Sequence, residues 1–165
     1  MEASTAGAGF NMGTTGWVNS GGVFFDHRSA PDGSLAAYYE IDSLDPCYGH
    51  SDPDQQYHYH LTPVCIDGAS DSSSCVQLGY MDDGFPIYGQ CSTYSSCWKL
   101  SDGQDGDNIN DYYYDSAAYD AGECGLDMCG GRTVDGAYAY YTTAVLPYVP
   151  ICRMGTEGTV CGFTP

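Results

Sequence analysis

Apolar and polar side chains change places at every step along Tyr57-His58-Tyr59-His60. That period of two is the mark of a β-strand, here with tyrosines on one face and histidines on the other. The same short-range patterning recurs as strand, turn, strand. Gly16-Trp17-Val18-Asn19-Ser20-Gly21-Gly22-Val23-Phe24-Phe25 aligns without gaps with Gly79-Tyr80-Met81-Asp82-Asp83-Gly84-Phe85-Pro86-Ile87-Tyr88, and both read as hairpins. Farther along, Leu44-Asp45-Pro46-Cys47-Tyr48-Gly49-His50 aligns with Leu126-Asp127-Met128-Cys129-Gly130-Gly131-Arg132. Each is followed by a short Asp-containing loop and a Tyr-x-Tyr, at Tyr57–Tyr59 and Tyr138–Tyr140. Two matches in one order predict a duplicated, mainly antiparallel β unit, sandwich-like and with little helix.

The expected organisation is a single domain over residues 16–165, built of repeats at about 16–65 and 79–152. Gly21 to Cys47 spans 26 residues and Gly84 to Cys129 spans 45, so the second repeat carries an insertion, placed at 89–124. It is polar, rich in Cys and Asp, and reads as a surface excursion with a short helix near Ser95–Leu100. Residues 1–15 precede the first repeat and have no counterpart before the second. They read as a flexible arm whose Phe10 and Met12 could fill pockets along a neighbour's open sheet edge.

Composition narrows the function. Four Lys and Arg stand against 22 Asp and Glu, a net charge of −18 that repels nucleic-acid phosphates and anionic lipid. No run approaches the length of a membrane span, so membrane insertion is not expected. Nine cysteines without a C-x-x-C pair point to disulfides and an extracellular, oxidising setting, although the opening residues lack the apolar core of a signal segment. The short spacings Cys91…Cys97, Cys124…Cys129 and Cys152…Cys161 suit disulfide-tied loops. The repeat itself suggests Cys47 with Cys65 and Cys129 with Cys152, because each pair brackets the same strand in its half. One cysteine must remain over. No Asn-x-Ser/Thr sequon exists, so any glycan would be O-linked on Ser or Thr.

The repeat also sorts scaffold from chemistry. Tyr57 and Tyr59 have tyrosine counterparts, whereas His50, His58 and His60 become Arg132, Ala139 and Tyr141, and His27 falls opposite Gln90. The fold does not need these histidines. His58 and His60 share one strand face, and His50 joins them if the hairpin register pairs it with residue 56 or 58. Three imidazoles so placed suit zinc or copper, with a carboxylate or water as fourth ligand. Asp45 is a poor candidate for that ligand because Asp127 repeats it, which marks both as turn caps. In the acidic loop 102–111, Asp105 and Asp107 start like a calcium loop, but Ile109 sits where an oxygen ligand should be. It reads as a solvated loop, with weak calcium binding expected of so acidic a surface.

These pieces together resemble the YHYH domain family: the tetrad Tyr57–His60, Leu44–His50, the Gly21–Phe25 and Gly79–Gly89 strings, and the second Leu-Asp-x-Cys-x-Gly at Leu126–Gly131. The resemblance implies an extracytoplasmic domain in which His50, His58 and His60 matter, and it implies no particular reaction. No Gly-x-Ser-x-Gly elbow or His-Glu-x-x-His is present, and no enzyme is expected. Asp83 beside a histidine-held metal is the one arrangement that could act as a base. The favoured expectation is a secreted structural protein that associates with copies of itself, head-to-tail through its arm into fibres, and carries a histidine metal site. The alternatives are a monomeric metal-binding module and a metal-dependent enzyme.

Overall fold

The computed structural model describes residues 12–155 apart from residue 72. Among these residues ten short strands carry the fold: β1 Thr14–Val18, β2 Val23–Phe25, β3 Gly49–Ser51, β4 Tyr57–Tyr59, β5 Gln77–Met81, β6 Pro86–Tyr88, β7 Trp98–Leu100, β8 Tyr112–Tyr114, β9 Gly131–Val134 and β10 Ala137–Tyr141. The helices are brief, α1 at Ala36–Tyr39 and α2 at Ser116–Asp120, with 3-10 turns at 41–43 and 109–111. Eight strands form one sheet in the order β3-β4-β2-β1-β5-β6-β10-β9, and β7 pairs with β8 in a separate ribbon.

Read outward from the β1–β5 junction, the large sheet repeats itself on both sides. The pairings β1–β2 and β5–β6 are antiparallel and each carries a register shift, at Thr14/Gly16 and at Gln77/Gly79. The pairings β2–β4 and β6–β10 are both parallel, a feature the alternation of side chains does not encode. Both outer hairpins, β3–β4 and β9–β10, are antiparallel. The fold is thus mainly β, duplicated and stapled by disulfides, in open sandwich-like sheets. Equivalent residues fill the core: Val18 and Met81, Phe24 and Ile87, Tyr59 and Tyr140 are all buried. At the seam, a Cβ on Gly79 would run into the Trp17 carbonyl, so the two halves meet more closely than any side chain would allow.

The turn before each outer hairpin is also duplicated. Asp45 Oδ1 accepts from the Cys47 and Gly49 amides while its Oδ2 accepts from the Tyr57 hydroxyl at 2.6 Å. Asp127 does the same with Cys129, Gly131 and Tyr138. Gly49 and Gly131 lie under those hydroxyls, where a Cβ would collide with the phenol. Cys47–Cys65 and Cys129–Cys152 are bridged in equivalent places.

Two sequence expectations are corrected. The neighbouring cysteines do not pair with each other: Cys75 bonds to Cys91 and Cys97 to Cys124, and Cys161 lies outside the described residues. No helix forms at Ser95–Leu100; Trp98–Leu100 is strand β7, held by pairing with Tyr112–Tyr114 and by the Trp98–Tyr114 ring contact at 5.9 Å. A six-residue helix has too few internal bonds to stand against a cross-strand aromatic pair. Of the stretch read as an arm, residues 1–11 fall outside the described residues, and Thr14 and Thr15 belong to β1.

Candidate metal centre

The β3–β4 register sets His50 directly opposite His58 at the end of the large sheet. On β4, Tyr59 turns into the main core and His58 into the opposite face, yet His58 and His60 are as buried as the tyrosine. Phe25 is stacked on the His58 ring at 3.9 Å and meets His60 edge-on. From the far side, the segment through α1 and the following 3-10 turn brings Glu40 and Ser43 to the histidines.

Hydrogen bonding fixes how each ring points. His60 Nδ1 lies 2.5 Å from the Asp26 carbonyl oxygen and His58 Nδ1 3.1 Å from that of Gln56. A carbonyl only accepts, so both Nδ1 atoms carry the proton and both Nε2 atoms keep a lone pair. Ser43 Oγ donates to the Glu40 carbonyl and therefore accepts from His50 Nδ1 at 2.9 Å, which gives His50 the same tautomer. The three Nε2 lone pairs then turn toward one another and toward Glu40. His58 Nε2 is 3.0 Å from His60 Nε2, and Glu40 Oε2 is 3.0 Å from His50 Nε2 and 3.4 Å from His60 Nε2. All four ligand atoms lie within 4.8 Å of one another, and with the three imidazoles neutral every one offers a lone pair.

Such a set could hold a metal ion at its centre. Protons are poorly suited, because burial pushes His60 down to about 4 and also lowers His58, so at neutral pH both are uncharged. Burial raises the Glu40 carboxyl, against a smaller lowering by His50. A divalent ion removes the conflict at once. Ligands about 2.0–2.1 Å from a tetrahedral zinc sit roughly 3.3 Å apart, close to the 3.0 Å of His58–His60 and His50–Glu40 and the 3.4 Å of His60–Glu40, with the remaining pairs inside 4.8 Å. The hydrogen-bonded Nδ1 atoms supply the orienting contacts that metal-bound imidazoles require.

Glu40 was not legible as a ligand. Its only sequence signal is scarcity, since just Glu2, Glu40, Glu123 and Glu157 interrupt an acidic complement made of aspartate. Asp83 is not in the cluster; its Oδ2 accepts from the Tyr140 hydroxyl and the Gly155 amide, so it is no base for this site. Among the described residues the acidic loop makes no metal-ligand group either. There, Asp111 caps the Gly106 and Asn108 amides and Asp107 accepts from Tyr39. No helix among the described residues is long and apolar enough to cross a membrane. No curated protein and no solved structure matches the chain. The family model described as YHYH protein matches residues 3–155, with the histidine pair of the candidate metal centre inside the tetrad that names it, and the chain belongs to that family.

Proposed function

We propose that this is an extracellular metal-binding protein in which His50, His58, His60 and Glu40 hold one zinc or copper ion. The observation that carries the reading is the convergence of three imidazole Nε2 atoms and a carboxylate oxygen within 4.8 Å of one another. Four protein ligands close the coordination shell, which suits a structural or sequestering ion better than a catalytic one. The ion would tie the α1 segment to the β3–β4 hairpin. Four disulfides fit an oxidising setting outside the cell, and secretion is part of the proposal. The test is calorimetric titration of chelator-treated protein with Zn²⁺ and with Cu²⁺. One ion per chain is expected, lost in His58→Ala and in Glu40→Gln; metal uptake unchanged by both substitutions would sink the assignment. Copper would add a visible absorption band that zinc lacks.

A second reading, self-association into a structural assembly, is favoured by one feature. The eight-stranded sheet ends in two unclosed edges, β3 and β9, while Trp17 and Tyr80 pair across its centre, both about half exposed. Head-to-tail contacts through residues 1–13 would then build fibres, and any calcium held by the acidic surface would be weakly bound. Deleting residues 1–13 should leave single particles by negative stain; assemblies of undiminished size would remove the arm from the account.

A further inference from the structure

Where the first repeat holds its histidines, the second holds a cavity. Arg132 takes on β9 the place of His50 on β3, opposite Ala139 as His50 is opposite His58. Around it opens a space of about 770 Å³, within the usual range of small-molecule sites. One wall belongs to the insertion, with Tyr119 and Asp120 on α2 and Glu123 beside the Cys97–Cys124 disulfide. The other belongs to the repeat, with Asp127, Arg132 and Tyr138. The segment that makes the two halves unequal therefore builds this space.

The lining carries unspent charge of both signs. Arg28, Lys99 and Arg153 each pair with an aspartate, whereas Arg132 alone of the four basic residues makes no ion pair among the described residues. Its guanidinium lies 4.2 Å over the Tyr94 ring and one Nη donates to the Gly125 carbonyl at 3.3 Å. The Nε is buried with no hydrogen-bond partner among the described residues. A guanidinium has five N–H donors in a fork that fits a carboxylate, and a buried donor left unused is costly. At the rim, Asp120 and Glu123 are exposed, and their carboxylates accept no hydrogen bond and form no ion pair among the described residues.

We propose that this cavity binds a zwitterion of the amino-acid or short-peptide class, its carboxylate on Arg132 and its ammonium at Asp120 and Glu123. A plain anion would face the two rim carboxylates and a net charge of −18, and a plain cation would face Arg132. A ligand charged at both ends meets both. Tyr119 and Met154 add apolar surface for a side chain.

The test uses the full, disulfide-intact chain in ligand-observed NMR, with the twenty free amino acids and their alanyl dipeptides at millimolar concentration. Binding by free amino acids points to that source, and binding by dipeptides alone to short peptides; binding by none overturns the proposal. For the best probe, the C-terminal amide and the N-acetyl form should each bind about tenfold more weakly, the scale of one lost charged hydrogen bond. Arg132→Gln should weaken the parent probe by the same factor and leave the amide unchanged. Thr133→Trp, an exposed substitution at the mouth, should block the probe without touching Arg132. A blocked form that binds as well as its parent, or a Thr133→Trp protein that binds normally, overturns the assignment.

Discussion

His27 and His60 are buried alike and differ in what their nitrogens touch. His60 donates to a carbonyl and turns its lone pair to the candidate metal centre, while neither nitrogen of His27 has a hydrogen-bond partner among the described residues. Burial pushes His27 down to about 4, and its charge would appear only at acid pH. Because the folded value is below the unfolded one near 6.5, the unfolded chain takes up the proton first. Stability is then fully present above the unfolded value and falls as pH drops from about 6.5 toward 4, by about 2 kcal/mol at pH 5. His27→Leu, close in size and without polar atoms, should remove this dependence. Urea midpoints of the two proteins should differ little at pH 8, with the variant clearly higher at pH 5; parallel acid losses would exclude His27 as the cause. Ser43 gives the complementary case. Ser43→Ala removes the acceptor that orients His50, so zinc affinity should fall about tenfold while the exposed site costs little stability. An unchanged affinity would show that His50 is held by other means.

The duplicated Asp–Tyr turn makes a controlled comparison at the scale of the hairpin. Both carboxylates are half-buried and make the same three bonds, yet their environments differ. The Tyr57 hydrogen bond chiefly holds the Asp45 carboxyl low, whereas burial dominates at Asp127 and raises it. Removing the phenol hydroxyl should therefore hurt the second hairpin more, since the carboxylate left behind is harder to hydrate. Tyr138→Phe should cost about 1–3 kcal/mol in thermal or urea unfolding, and Tyr57→Phe distinctly less; equal losses would mean that the two turns are equivalent in energy as well as in shape. This turn was readable in advance because Leu-Asp-x-Cys recurs before each Tyr-x-Tyr. The cover over the histidine face was not. Side-chain alternation says which residues share a face of β4, but α1 and its Glu40 arrive from a segment with no repeat partner and no heptad or cap signal. The parallel pairings were hidden for a related reason, since a strand's pattern is the same whichever way its neighbour runs.

At the scale of the whole molecule, duplication followed by divergence places different chemistry at the two ends of one sheet. The end at β3 gathers imidazoles and the end at β9 an arginine, while the β1–β5 seam between them is conserved in shape by glycine. Both ends are also the sheet's open edges, so anything that docks there would cover or complete a site. The charge of −18 works against such docking at low salt, because every copy repels every other. The screening length shrinks from about 30 Å at 0.01 M salt to about 8 Å at physiological strength, so the short-ranged edge contacts of the proposed assembly would then meet less repulsion. On the assembly reading, association should accordingly rise with salt. Light scattering of the native, unreduced protein should report a single chain of 17.7 kDa in dilute buffer and larger species as sodium chloride is added. Reversal of that growth in Trp17→Ser with Tyr80→Ser would place the contact on the exposed aromatic pair, and its persistence there with loss on deletion of residues 1–13 would place it at the edges. A particle that stays at one chain across the whole salt range would remove assembly from the account and leave the candidate metal centre as the property to pursue.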